Sequence, residues 1–186
     1  MPSIGSVDQK RKVSERLRRL EQEYQREAVE TGTEEENQAT ELIENGGFED
    51  GLTGWTNSGW NLSDYDDGSG GWEPHSGIWY IWGYSALASI EQTFAATATS
   101  LIENCGFWCK LASGGPAGSG LNVYLLYSDS SEESFEDVLF PTDTWTWVDL
   151  LSSLNPAKSL IGIRITWFNS YYMLIVDDVS ILRMGD

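Results

Sequence analysis

The stretches LNVYLLY at residues 121–127 and SLIGIRITWF at residues 159–168 decide the fold class of this chain. In both, apolar side chains recur at every second position, which is the periodicity of a β-strand with one buried face. The alternation in the second stretch predicts an inward face made of Ile161, Ile163, Ile165 and Trp167. Each stretch therefore predicts a strand that packs against a core.

Six other stretches predict further strands. They lie at residues 78–84, 87–94, 104–111, 135–140, 145–151 and 172–182. Segments rich in Gly, Asp and Ser separate them, and no helical period lies between them, which predicts an all-β domain, a β-sandwich jelly roll of about eight to nine strands. The nine Trp and 19 Gly residues of the chain agree with this class, because aromatic residues favour pleated surfaces and Gly favours tight turns.

Residues 8–30 have a different periodicity. Four apolar residues recur there with the spacing of a coiled-coil seam: Val13, Leu17, Leu20 and Tyr24. Gly32 is placed to end this helix, and the acidic run after it has the composition of a linker. The sequence therefore predicts a helical anchoring or oligomerisation segment over residues 1–40 and a separate β domain over residues 41–186.

A short isolated helix of this kind is marginally stable in water. We therefore expect the apolar stripe within residues 8–30 to associate with other chains. The partners we expect are copies of this chain, with a trimer as the first expectation, or a scaffold protein such as that of a capsid. The alternative is a helix that stays exposed to solvent.

The net charge of the chain is −18 and is unevenly distributed. Residues 1–26 contain seven basic and four acidic residues, whereas residues 45–186 contain 18 acidic residues and four basic ones. A domain with this excess of negative charge repels phosphate backbones, so we expect no nucleic acid at the β domain. Neutral ligands and cations are compatible with it.

No stretch contains the ~18 consecutive apolar residues of a membrane-spanning helix, so we expect no membrane span. The basic residues near the N-terminus are not followed by the continuous apolar region of a Sec signal peptide. We therefore expect the chain to be made in the cytoplasm and assembled from there.

The residues that most often carry catalysis or a disulfide form no recognisable set. His75, the single histidine, lies in a predicted turn, and no Ser-His-Asp arrangement can be assembled around it. Cys105 and Cys109 lie four residues apart in one predicted strand, roughly 13 Å from each other, which is too far for a disulfide. We expect the protein not to be an enzyme, and we expect both cysteines to be buried apolar residues.

Several aromatic side chains are predicted to face outward or to lie in loops. In the strand at 104–111, Lys110 marks the outer face, which places Trp108 outside as well. We predict one outward platform with bordering loops, formed by Trp60, Trp72, Trp108, Tyr124 and Arg164. Rings stack on the apolar faces of sugars, and Arg bonds their hydroxyl groups, so this set predicts a site for a neutral glycan. The alternative is that these rings pack in the core or against other subunits.

The predicted last strand contains a carboxylate that faces the core. Alternation over residues 172–182 places Asp177 on the same inward face as Ile175, Val179 and Ile181. A buried carboxylate has to be paired, hydrogen-bonded or bound to a metal. Asp177 is therefore a candidate for each of these roles.

Five motifs in chain order resemble those of carbohydrate-binding modules of the families 4, 9 and 22 group. They are NGGFEDGLTGW at 45–55, IEQTF at 90–94, CGFWCK at 105–110, WTWVDL at 145–150 and VDDVSI at 176–181. The resemblance leaves residues 1–40 without a counterpart. It implies a jelly roll of the galactose-binding-like kind and a carbohydrate-binding role.

The same resemblance implies a structural calcium ion. In that family the opening and closing strands are neighbours and hold the ion, so Glu49 and Asp177 are the implied side-chain ligands, with backbone carbonyl groups completing the shell. The alternative is that Asp177 accepts hydrogen bonds from the N–H groups of an adjacent turn.

Two hypotheses describe the function. In the first, the chain is a non-catalytic surface or decoration subunit of a large assembly, such as a phage or virus particle. Its N-terminal helix anchors it, and its jelly roll is presented at the surface of that virion or other extracellular particle. In the second, it is a stand-alone or secreted polysaccharide-binding module. The lack of an export signal and of an attached catalytic domain favours the first, and both are compatible with glycan binding.

Overall fold

A computed structural model describes residues 38–64, 72–83, 88–111, 121–135, 143–167 and 173–185. The helix predicted over residues 8–30 lies outside the described residues, as do Val13, Leu17, Leu20 and Tyr24. Residues Thr40–Met184 form one compact unit. Among the described residues, no helix is long and apolar enough to cross a membrane.

The described residues form eleven β-strands. In chain order these are β1 (Thr40–Glu41), β2 (Thr56–Ser58), β3 (Trp60–Asp64), β4 (Trp79–Gly83), β5 (Ala88–Ala98), β6 (Ile102–Leu111), β7 (Leu121–Tyr127), β8 (Glu132–Phe135), β9 (Thr146–Asp149), β10 (Ser159–Trp167) and β11 (Leu174–Arg183). Seven of the predicted strands are present at the expected places. The eighth, predicted at 135–140, overlaps only the last residue of β8, and residues 136–140 lie outside the described residues.

The strands form two antiparallel sheets. The first sheet has the order β3-β4-β11-β6-β9, and β1 pairs with the far end of β11. The second sheet has the order β2-β5-β10-β7-β8. Buried apolar side chains from both sheets form one core between them. The predicted all-β sandwich of the jelly-roll kind is therefore confirmed.

A β-bulge in β10 changes one predicted face. The registers of β10 against β5 and against β7 both shift at residues 160–162. Leu160 is fully buried, whereas Ile161 is only half-buried. The predicted inward placement of Ile161 is wrong, because an extra residue in a strand reverses the alternation on one side of it. The other three residues of that predicted face are buried as expected.

Residues 56–64, which the sequence pattern leaves in a loop, form β2 of the second sheet and β3 of the first. Asn57 builds the tight turn between them, since its side chain accepts a hydrogen bond from the N–H of Trp60 at 3.0 Å and donates one to the carbonyl of Trp60 at 2.9 Å. Gly59 supplies a φ of 86° in this turn. The Trp60 ring points into the core and is 3% exposed. The prediction that Trp60 lies in a loop and faces a ligand is therefore wrong.

The motif at 45–55 folds into turns around Asn45. The side-chain amide of Asn45 donates to the carbonyl of Gly51 at 3.0 Å, and its backbone carbonyl accepts from the indole N–H of Trp55 at 3.1 Å. Trp55 is buried and packs on Phe48, with ring centroids 5.5 Å apart. This motif therefore contributes apolar side chains to the core and holds its own turns with side-chain hydrogen bonds.

Gln92 joins β5 of the second sheet to the residue that precedes this motif. Its Oε1 accepts a hydrogen bond from the N–H of Glu44 at 2.7 Å, and its Nε2 donates one to the carbonyl of Glu44 at 2.8 Å. Gln92 is 4% exposed. Its amide therefore takes the place of a strand partner for the backbone N–H and carbonyl of Glu44, in two part-buried hydrogen bonds.

The two cysteines are free and buried in β6, as predicted. Burial raises the pKa of Cys105 to about 12, and the negative charges of Asp149 and Glu41 add to the rise. Burial also raises the pKa of Cys109 well above its usual range. Both thiols therefore behave as apolar parts of the core.

We expect Gln92→Leu to lower the free energy of unfolding by about 1–3 kcal/mol, because the N–H and carbonyl of Glu44 then lose two part-buried hydrogen bonds. Urea denaturation followed by tryptophan fluorescence measures this change. Thr93→Val, at the next and exposed position of β5, is the control and should shift the value by less than about 0.5 kcal/mol. Equal stability of Gln92→Leu and the unaltered chain would contradict the proposed role of the amide.

Candidate ligand-binding face

Aromatic side chains are concentrated on the outer face of the first sheet, which points away from the core. Residues paired directly across antiparallel strands lie on the same face, and the register brings two rows together here. One row contains Trp82, Ile175 and Lys110, and the other contains Asp177, Trp108 and Trp147. Trp145, directly before β9, lies beside Lys110, whose Nζ is 5.1 Å from its ring centroid. We call the half-buried Trp82, Trp108, Trp145 and Trp147 the aromatic face.

Gly106 allows Trp147 to lie close against the sheet. A Cβ at residue 106 would lie 2.5 Å from the Trp147 ring and 2.3 Å from the carbonyl oxygen of Val148, both too close for any side chain. The Trp147 ring is tilted by 58° against that of Trp108, with centroids 5.7 Å apart. The missing side chain thus makes room for a pair of indole rings.

A β-bulge in β11 brings Asp177 to this outer face. Between residues 177 and 180, β11 contains one residue more than the paired part of β6. Asp177 therefore lies beside Trp108, while Val179 returns to the core. The prediction that Ile175 and Asp177 share the inward face of Val179 is wrong, because the bulge reverses the alternation.

Segment 72–78, which we call the strap, is held by hydrogen bonds to the side chain of Asp177. The Oδ2 atom of Asp177 accepts hydrogen bonds from the backbone N–H groups of His75 and Ser76, at 2.9 and 3.2 Å. Its Oδ1 atom accepts one from the N–H of Asp178 at 2.8 Å. Asp177 is fully buried although it lies outside the core. A carboxylate in such a place is stabilised by these three donors.

Glu49 holds the other end of the strap. Its Oε1 atom accepts hydrogen bonds from the backbone N–H groups of Ile78 and Trp79, at 2.8 and 3.0 Å. Gly77 has a φ of 61°, and a Cβ there would lie 2.1 Å from the same Oε1 atom. Only glycine allows the strap to turn this closely onto the carboxylate.

His75 of the strap covers one side of the aromatic face. Its ring stacks on Trp108 with centroids 4.0 Å apart and 14° between the planes, and it meets Trp145 edge-on at 5.5 Å. Its Nδ1 atom lies 2.7 Å from Oδ2 of Asp178, and the hydroxyl of Ser76 donates to Oδ1 of Asp178 at 2.8 Å. Because His75 and Ser76 both bond to Asp178 and not to each other, they do not form the relay of a serine hydrolase.

The two predicted calcium ligands, Glu49 and Asp177, both bond to the strap. Burial raises the pKa of Asp177 to about 7 and the negative charge of Asp178 adds to the rise, although the three N–H donors oppose it. Within the described ranges, no group of three or more His, Cys, Asp or Glu side chains is placed to hold a metal ion. The N–H groups carry partial positive charge where a cation would bind, so the fit to calcium is poor. The contacts match the alternative interpretation of Asp177, and calcium stays a prediction.

Tyr124 and Arg164 point outward as predicted, but they lie on the second sheet. The guanidinium of Arg164 lies 4.5 Å from the ring centroid of Tyr124 and forms ion pairs with Glu91 at 3.3 Å and Glu132 at 2.5 Å. Trp108 belongs to the first sheet, so the prediction of one platform containing all three residues is wrong. Alternation separates inward from outward positions but does not say which of two sheets a strand joins.

Trp72, the first described residue of the strap, is half-buried. Its contact with a ligand stays a prediction. The remaining members of this site were not predicted from the sequence: His75, Trp82, Lys110, Trp145 and Trp147. A signal for them was present, because Trp145 and Trp147 are two residues apart and so share a face of one strand. The pairing of that strand with β6 was not available from the sequence.

Known structures share this fold. The structure described as Family 16 Carbohydrate Binding Module-2 superposes with a TM-score of 0.53 at 18% identity, covering 75% of this chain and 98% of that one. The domain therefore has the same jelly-roll fold as that module. At this identity the likeness of the jelly roll to its neighbour extends to the fold alone.

Two further structures are similar to the jelly roll at lower TM-scores. TmCBM61, in complex with β-1,4-galactotriose, has a TM-score of 0.48 at 17% identity and covers 77% of this chain and 99% of its own. The CBM22-1 xylan-binding domain from Paenibacillus barcinonensis Xyn10C has a TM-score of 0.46 at 13% identity and covers 81% of this chain and 96% of its own. No protein-family model and no curated protein matches the sequence.

A chelation experiment separates the two interpretations of Glu49 and Asp177. Calcium bound only to the folded state at a hundredfold excess over its Kd would contribute about 2.7 kcal/mol, so EDTA would lower the melting temperature. The N–H contacts alone predict the same melting temperature with and without EDTA. Asp177→Ala is the control, since it should remove any effect of EDTA. An EDTA effect that persists in this variant would contradict a calcium site at Asp177.

Proposed function

We propose that the jelly roll binds a neutral glycan on the aromatic face of its first sheet. The observation that carries this proposal is the placement of four half-buried tryptophans on one outer face. Indole rings offer apolar area with little conformational freedom to lose, and they stack on the C–H faces of sugar rings. The shared fold supports the proposal only at the level of the scaffold, because sites are grafted on folds.

The dimensions of the aromatic face suit a chain of several sugar units. Trp82 lies on β4 and Trp145 beside Lys110 of β6, with β11 between those strands. Trp145 directly precedes β9, which is three strand spacings from β4 in the order β4-β11-β6-β9. Because neighbouring strands lie about 4.8 Å apart, the backbones of Trp82 and Trp145 lie roughly 14 Å from each other across the sheet. A ligand that stacks on both rings therefore runs across the strands and passes the ammonium of Lys110.

The charge of the domain favours a neutral ligand. Residues 45–186 contain 18 acidic and four basic residues, and two of those bases, Lys158 and Arg164, already form ion pairs with carboxylates. An acidic glycan would approach this surface against a repulsive potential. We therefore assign a neutral polysaccharide or oligosaccharide as the ligand class. A non-catalytic role stays the expectation from the sequence.

Trp108→Ala should weaken binding of a neutral glycan several-fold, because it removes a ring of the aromatic face and the surface on which His75 stacks. A stacked ring contributes about 1 kcal/mol or somewhat more beyond buried area. A glycan array identifies the ligand, and isothermal titration measures the affinity. Tyr124→Ala is the matched control, since Tyr124 is also a half-buried, outward aromatic residue in mid-strand but lies on the second sheet. Equal losses in both variants would place the ligand elsewhere, and no binding by the unaltered chain would contradict the proposal.

We further propose that residues 8–30 anchor the chain in a larger assembly, such as a phage or virus particle, and that the jelly roll is displayed at its surface. The observation that favours this role is the sequence stripe of Val13, Leu17, Leu20 and Tyr24. Such a stripe is stable only when another surface covers it. A stand-alone or secreted polysaccharide-binding module is the alternative.

Sedimentation of the full chain and of a chain that begins at Glu41 tests the anchoring role. We expect the full chain to form oligomers, a trimer first, or to associate with a scaffold protein, and the shortened chain to be a monomer. Leu17→Asp in the full chain should give the same result as the truncation, because it places a charge in the seam. A full chain that stays monomeric and binds no partner would contradict the proposal.

A further inference from the structure

Lys110 is the cation of the aromatic face. It lies in the row between Trp82 and Trp145, where it pairs with Ile175 of β11. Lys110 as a whole is 8% exposed, and its Nζ atom lies over the Trp145 ring, 5.1 Å from the ring centroid. In the part of the chain that the structure describes, the ammonium of Lys110 makes no hydrogen bond and no ion pair.

The apolar stem of Lys110 is buried, whereas its Nζ atom reaches the surface. An ammonium group has three N–H donors and no acceptor, and none of those of Lys110 is bonded to another described residue. Lys158 shows the ordinary case in this molecule: its Nζ lies over the Tyr127 ring at 5.0 Å, and it also pairs with Asp129 at 3.3 Å. Lys110 has the same contact with a ring but lacks the acceptor.

The charges around Lys110 act from a distance. Burial lowers the pKa of Lys110, and the negative charges of Asp143 and Glu73 oppose that effect. Both acids are exposed. These two acids offset the positive charge of the ammonium but accept no hydrogen bond from it. The ammonium therefore attracts an anionic ligand only weakly, and its N–H groups can still donate to a neutral one.

We propose that Lys110 is the specificity-determining donor of this face and orients a neutral sugar stacked beside Trp145 by donating to adjacent hydroxyl oxygens. This inference rests on the proposed function and names the group that the ligand must present, a pair of neighbouring hydroxyl oxygens. A stacked ring tolerates many sugars, because every pyranose has an apolar face. A charged donor discriminates among them, since hydrogen bonds to charged groups are the stronger ones.

The test is isothermal titration of the full chain with cellohexaose, xylohexaose and β-1,4-galactotriose as neutral probes and trigalacturonic acid as the acidic probe. Lys110→Met keeps the apolar stem and removes the ammonium. We expect it to weaken binding of the preferred neutral probe about tenfold or more. Lys158→Met is the matched control and should bind as the unaltered chain does, because Lys158 lies near Tyr127 of the second sheet. Thermal melts of both variants show whether each is folded.

Deoxy analogues of the preferred probe distinguish a donor from a merely structural cation. A probe that lacks one of the two hydroxyl groups bonded to Lys110 should bind the unaltered chain several-fold more weakly. The same change in the probe should have little effect on its affinity for Lys110→Met, because that variant has no ammonium group to donate. Unchanged affinity in Lys110→Met, with the unaltered chain binding, overturns this inference and leaves the proposed function standing. Tighter binding of the acidic probe overturns the assigned ligand class. No binding of any probe by the unaltered chain overturns both.

Discussion

Between residues 177 and 180, the central strand β11 contains one residue more than the strand beside it, and the outer face of the first sheet depends on this bulge. It places Asp177 outside, beside Trp108, and holds Asp178 at a φ of 46°, where its carboxylate reaches the strap. The N–H of Val179 is thereby free to bond to the carbonyl of Gly46 at 3.0 Å. A Cβ on Gly46 would lie 1.9 Å from the carbonyl oxygen of Val179, so the opening motif can approach the bulge only as glycine.

Asp177 and Glu49 accept hydrogen bonds from backbone N–H groups and form no ion pair with a described side chain. Asp177 and Glu49 between them accept hydrogen bonds from four N–H groups of residues 75–79, and a surface segment is thereby fixed over a buried acid. The outer face of the second sheet is built differently, since Arg164 is held there between Glu91 and Glu132. The first sheet thus exposes aromatic rings, whereas the second exposes ion-paired side chains that water solvates well. This asymmetry is the physical reason to assign ligand binding to the first sheet.

Much of the fold, and part of the aromatic face, could be predicted from the alternation of apolar and polar side chains in the sequence. The strands of the sandwich, the outward position of Trp108 and the burial of both cysteines follow from a period of two. The errors at Ile161 and Asp177 share one cause, because a bulge reverses the alternation. Gly162 marks the bulge in β10, whereas no glycine marks the one in β11. Trp60 was misplaced because one side chain, that of Asn57, makes a turn between two strands of different sheets. The aromatic face needed the pairing of β6 with β9, which is set by long-range packing.

The buried thiols of β6 have a consequence for how this sandwich opens. Cys105 and Cys109 sit in a strand with partners on both edges, and their raised pKa values keep them in the unreactive protonated form. A thiol reagent can therefore modify them only in molecules where β6 has separated from β11 or β9. The rate of alkylation under native conditions then measures the opening of the sheet that carries the aromatic face. The chain thus contains its own chemical probe of the strand that holds Trp108 and Lys110.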